Sequence, residues 1–333
     1  TTFTMTGGTS GTLTITTGAW TLSGNWNSSG AGSVFTQGTG IHTFDATATI
    51  TLLAADNTFD DLTVSAGTAT LATNLVITNA LTISGGTLAK ATFALNPVGS
   101  LTMSGGDMTS TSGAIVISGA VNISSAASAI DFGSEAWTVS GTWTNASTDA
   151  VGWEAGTGTV TFDSATGGTM TFAGANLGEA EFSSVTLNST GGTAQTFTMA
   201  TRALQFSGTL SIADTTSTTT LATTDLGLTT GALSVGNGGI LTANATTAAF
   251  ASVTMTGGTS GIITVTTGAW TVSGSWNTSG VGSIYTQGTG IVTFDATATI
   301  TLLSTDNTFD DLTISAGTST MASAVIVTNT LSV

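Results

Sequence analysis

Apolar residues along the chain alternate with Thr or Ser in short triplets: LTI at 13–15, WTL at 20–22, LTV at 62–64, LTM at 101–103 and WTV at 137–139, with IVI at 115–117 and GTLSI at 208–212 in the same rhythm. The period is two, the spacing of a strand with one buried face. Turns rich in Gly separate the triplets, as in SGG at 84–86 and 104–106, TGG at 190–192 and GNGG at 236–239. Thr, Gly, Ser and Val are poor helix formers, so the pattern predicts an almost entirely β protein. Strands this short and evenly spaced fit a sandwich, a barrel or a solenoid.

A longer period lies over the short one. Residues 1–83 align without a gap to 251–333, and a diverged copy lies between them. Each copy opens on a double-Trp phrase: GAWTLSGNWN at 18–27, EAWTVSGTWTN at 135–145 and GAWTVSGSWN at 268–277. Next come GTGIHTFD at 38–45, GTGTVTFD at 156–163 and GTGIVTFD at 288–295. FDDLTVSA at 59–66, FSSVTLNS at 182–189 and FDDLTISA at 309–316 follow. The chain therefore reads as unit A at 1–116, a diverged unit B at 117–250 and a shortened copy A′ at 251–333, together one continuous solenoid. The last unit stops mid-pattern at Val333, which predicts further copies in a longer polypeptide.

Three features favour a parallel β-solenoid (β-helix) over the alternative, tandem β-sandwich domains. Turns use Gly, Ser, Asn and Thr, with one Pro in the chain. Charged residues are 6% of the sequence, which suits side chains stacking on like side chains. Similarity also propagates along the chain instead of closing into one unit. Coils of about 20–25 residues predict on the order of 15 turns and a rod roughly 70 Å long. In this frame Trp20, Trp26, Trp137, Trp143, Trp270 and Trp276 are core anchors, with Phe44, Phe162, Phe59, Phe182 and Phe309. A carbohydrate platform would instead need the indoles exposed on one face.

Composition then narrows function. The net charge is −16, with Lys90 and Arg202 the only cations, so nucleic acid and anionic membranes are poor partners. There is no Cys, hence no disulfide or thiolate metal site. No apolar run reaches the roughly 20 residues of a membrane span. The chain opens on Thr1, with no signal peptide visible.

Candidate chemistry is thin. His42, the one histidine, has Val160 and Val292 as its counterparts, so it reads as a local substitution. The phrase DNTFDD at 56–61 and 306–311 offers Asp56, Asp60, Asp61, Asp306, Asp310 and Asp311 as oxygen ligands for Ca²⁺, the one cofactor considered. It lacks EF-hand spacing, and a solvated loop closed by Asp and Asn side chains is the plainer reading. Its middle counterparts are Asn176, Glu179 and Glu181. Asn-x-Ser/Thr sequons at Asn27, Asn122, Asn145, Asn188, Asn244 and Asn277 are possible glycosylation points. Ice binding through Thr-x-Thr phrases, as in TATIT at 47–51 and 297–301, would need one phrase on successive rungs, and no such register is visible. No motif for hydrolysis, phosphate binding or metal catalysis is present, and clustered acids recur between copies where an active site would occur once. The reading is of a protein that is not an enzyme.

The run GTWTN…GTGTVTFD…FSSVTLNS…LQFSGTLSI resembles repeats of very large bacterial and archaeal cell-surface proteins. It is similar in spirit to filamentous haemagglutinin and autotransporter passenger β-helices. The resemblance implies an extracellular or cell-surface location and a role in adhesion, surface coating or fibre formation, with no catalytic residue to transfer. The expectation is a structural segment of a filament, stalk or fibre, joined end to end to copies of itself or to neighbouring repeats. The alternative is an adhesin that binds glycans or surfaces through Trp or Thr faces.

Overall fold

A computed structural model describes residues 2–5, 11–172, 181–189, 191–192, 194–255 and 261–333. The fold is an all-β, parallel β-solenoid of about 14 turns, 1% helical. Contacts divide it into two compact units, one holding the described residues up to Thr159, the other those from Val160 onward.

In the first unit each strand pairs in parallel with a strand one coil away. Registers fall on like residues. Thr21, Thr43, Thr63, Thr82 and Thr102 stand side by side on consecutive coils, followed by Asn122 and Thr144. The coils are thus 19–22 residues long. Immediately before and after these positions the side chains turn inward, as a pleat requires. One inward column runs Trp20, His42, Leu62, Leu81, Leu101, Val121, Trp143; the other runs Leu22, Phe44, Val64, Ile83, Met103, Ile123, Asn145. On another wall, Ala48, Ala69, Leu88, Met108 and Ile130 form a third. Burying such columns is the main stabilising term, at about 25 cal/mol per Å² of apolar surface.

The second unit repeats this construction. Leu204, Leu228, Ala248, Trp270, Val292, Leu312 and Leu331 form one column. Val185, Leu210, Leu233, Val253, Trp276, Ile300 and Met321 form a second. The corresponding outward row is Thr186, Ser211, Ser234, Thr254, Asn277 and Thr301.

The GTG phrase explains how one coil sits on another at a corner. A Cβ on Gly38 would lie 2.0 Å from the Thr16 carbonyl oxygen of the coil beneath, and one on Gly40 would lie 2.8 Å from that of Gly18. The same approach recurs at Gly156 (2.0 Å, Gly133 oxygen) and Gly158 (1.8 Å, Glu135 oxygen), and at Gly288 (2.2 Å, Thr266 oxygen) and Gly290 (2.4 Å, Gly268 oxygen). The backbones touch there, and only glycine leaves the room. Beside the corner, Gln37 Nε2 donates to the Gly40 carbonyl and Gln287 Nε2 to that of Gly290.

One anchor departs from the expectation. Trp20 is half-buried, whereas its counterpart Trp270 is 1% exposed. Trp270 is flanked by a strand on each side, pairing with Ala248 and with Val292. Trp20 pairs on one side only, with His42, so one flank of its indole has no covering coil among the described residues.

Candidate functional site

The double-Trp phrase makes an aromatic core, not a platform. Trp26, Trp137, Trp143, Trp270 and Trp276 are all buried, as is Trp153, the seventh tryptophan. Phe44, Phe59, Phe162, Phe182 and Phe309 are buried with them. Trp26 packs against Phe3 at 4.3 Å, Phe35 at 5.0 Å and Phe59 at 5.6 Å, and its indole N–H donates to Ser28 Oγ. Trp276 repeats this against Tyr285 at 5.0 Å and Phe309 at 5.6 Å, donating to Thr278 Oγ1. In the middle copy Trp137 lies 4.8 Å from Phe132 and 6.5 Å from Trp143. Rings held this way bury on the order of 150–250 Å² each and offer no face to a sugar.

His42 belongs to the first of these clusters. It lies 4.7 Å from the Phe59 ring and 5.3 Å from Trp26, fully buried, with neither ring nitrogen hydrogen-bonded. Burial pushes its pKa down to about 4, so at neutral pH it is an uncharged aromatic filler.

The acidic phrase holds one coil to the next. Asp60 Oδ1 accepts a hydrogen bond from Thr78 Oγ1 at 2.8 Å. Asp61 Oδ1 accepts from Asn79 Nδ2 at 2.8 Å and from the Ala80 N–H at 3.0 Å. The second copy does the same: Thr328 Oγ1 donates to Asp310, and Asn329 Nδ2 and the Thr330 N–H donate to Asp311. The pairing of these strands shifts register between Ile77 and Ala80, so Asp61 satisfies a backbone N–H at the bulge. Asp56 ends a short 3-10 turn, Ala54–Asp56, and Asp306 closes a similar turn onto the Leu303 carbonyl. Among the described residues no three acidic or histidine side chains are grouped to hold a metal ion. Asn176 and Glu179 lie outside the described residues.

Asn122, Asn244 and Asn277 are exposed, and Asn27 and Asn188 half-buried. Asn145 is fully buried: its side chain continues an inward column and its Oδ1 accepts from the Ser147 N–H, which leaves no room for a glycan. Asn27 and Asn277 each turn the carbonyl oxygen back onto the N–H and hydroxyl of the Ser two residues on.

Two buried polar clusters were not marked by the sequence reading, although they contain the chain's only two cations. In the first unit Lys90, Ser110 and Glu135 meet inside the coil. In the second, Arg202 pairs with buried Glu181 and lies over the Phe172 ring at 5.3 Å. The signal for Lys90 was its parity: in TLAKA at 87–91 it follows Leu88 by two and so points inward. A surface hollow of about 320 Å³ is lined by Ala54, Asn57, Thr73, Asn74 and Phe93, none of them titratable. Among the described residues no helix is long and apolar enough to cross a membrane. Comparison with protein-family models, curated proteins and solved structures returns no match.

Proposed function

We propose that this chain is a structural segment of an extracellular filament, stalk or cell-surface fibre, working without catalysis. The observation that carries the reading is repetition in place: phrases 250 residues apart make the same contacts. Trp26 on Ile50 is matched by Trp276 on Ile300, and Asp61 on Asn79 by Asp311 on Asn329. A site for chemistry needs one special coil, whereas a spacer needs many equivalent ones, each adding about 4.8 Å. Hydroxyl rows outside and apolar columns inside suit such a role, because the surface is wetted with few charged residues. Antibodies against the chain, imaged by electron microscopy on the producing organism, are expected to decorate extended surface structures. Label confined to the cell interior would overturn the proposal.

A second reading, adhesion, has one specific observation behind it. The outward row Thr21, Thr43, Thr63, Thr82 and Thr102 is a regular hydroxyl array on one wall. It was hidden in the sequence because the aligned threonines are the centres of different triplets. Binding of the purified chain to a glycan array, lost on replacing Thr43, Thr63 and Thr82 by Val, would favour adhesion over the spacer.

A further inference from the structure

The inside of a β-coil is a costly place for charge, yet Lys90 and the carboxyl facing it are both fully buried. Lys90 extends the inward side of the strand Thr87–Ala91, and Glu135 lies two coils further on. Lys90 Nζ stands 3.7 Å from Glu135 Oε2 and donates to the Ser112 carbonyl. Ser110 Oγ donates to Glu135 Oε1, while Oε2 has no hydrogen-bond partner. A buried ion pair recovers its desolvation penalty of several kcal/mol per ion only with close contacts and fully satisfied oxygens, and this pair has neither. Burial lowers the pKa of Lys90 and raises that of Glu135, so both shifts favour neutral amine facing neutral acid. In that state a nucleophile and an acyl group share one dry site, and such proximity favours an intramolecular reaction once the two close to contact.

We propose that Lys90 and Glu135 form a cross-linking site, in which Lys90 Nζ attacks the side-chain carboxyl carbon of Glu135 to give an amide. The amine lone pair makes the new N–C bond. Ser110, already on Oε1, stabilises the negative charge that builds on that oxygen. The C–Oε2 bond breaks, and Oε2 departs as water, carrying its own proton and one from Nζ. Nothing is oxidised or reduced, and no co-reactant is needed. The Ser112 carbonyl holds an Nζ hydrogen and orients the amine. The product ties the coil of Lys90 to that of Glu135, across the coil of Ser110 between them, against separation along the stack.

Intact-mass spectrometry of the purified, folded chain, with fragmentation of its peptides, tests this. The expected mass is lower than that of the sequence by one water, with the Lys90 and Glu135 peptides recovered as one branched species. Lys90→Met and Glu135→Leu should each restore the full mass. A folded wild-type chain at full mass, with the two peptides separate, overturns the proposal. So does a water loss that persists in Lys90→Met, since it would come from another residue. The wild-type measurement decides even if a variant fails to fold.

Discussion

His42 stands where the sister copies carry Val160 and Val292, and its environment shows what that exchange costs. The folded protein holds the imidazole proton only below about pH 4, whereas the unfolded chain takes it up from about 6.5. Between those values the unfolded state binds more protons, so stability falls as pH drops through the window and levels off below it. The full effect is about 3 kcal/mol at 1.36 kcal/mol per pKa unit. His42→Val should therefore gain on the wild type progressively from pH 6.5 to pH 4, read as the difference between their urea midpoints at each pH. A constant difference across that range would count against a buried, neutral His42. Asp61 makes the complementary case, since its carboxylate serves the bulge N–H of Ala80 and the Asn79 amide. Asp61→Ala should cost about 1–3 kcal/mol in chemical denaturation, while Asp61→Asn, which keeps an acceptor, should recover part of it. The phrase looked like metal ligands because Asp and Asn serve both purposes. Its partners, Thr78 and Asn79, lie 18 residues on, and only the coil length brings them together.

At the level of strands and corners, the alternation of triplets gave the elements directly, because an inward column needs an apolar residue at every second position. The corners follow from backbone contact. Gly38→Ala and Gly288→Ala each put a methyl at about 2 Å from a carbonyl of the neighbouring coil, where nothing flexible can yield. Each should lower the melting temperature markedly, the clash outweighing the roughly 0.4–1 kcal/mol that a strain-free Gly→Ala exchange gains by restricting the unfolded chain. Gly18→Ala provides the contrast, since its Cβ meets nothing within 4 Å and only its positive φ of 110° resists. What the sequence hid was the phase of the columns. Homologous phrases suggest that the first Trp of one copy stacks with the first Trp of the next. Within the first unit it is Trp143, the second of its pair, that shares a column with Trp20, while Trp137 lines up with Ile115, Leu95 and Leu75. Coils of unequal length and the bulged nine-residue strand Leu75–Ile83 let the column change partners, which no phrase alignment records.

On the scale of the whole molecule the account rests on like positions lying one coil apart, in parallel and in register. That arrangement explains why the interior is mostly apolar and why ionisable groups inside it are hydrogen-bonded, ion-paired or neutral. It also lets a hydroxyl surface replace a charged one, since each Thr or Ser beside its equivalent is wetted without repulsion. The chain has no cysteine, so pairs of spin labels can be placed on introduced cysteines without background. The most direct test is the distance between labels on the outward row of the first unit, at Thr21 with Thr102 and at Thr21 with Thr144. These pairs are four and six coils apart. The account predicts backbone separations of about 19 Å and about 29 Å, rising by about 4.8 Å for each coil between the labels. Distances that do not increase with the number of coils, as in a closed sandwich, would contradict it.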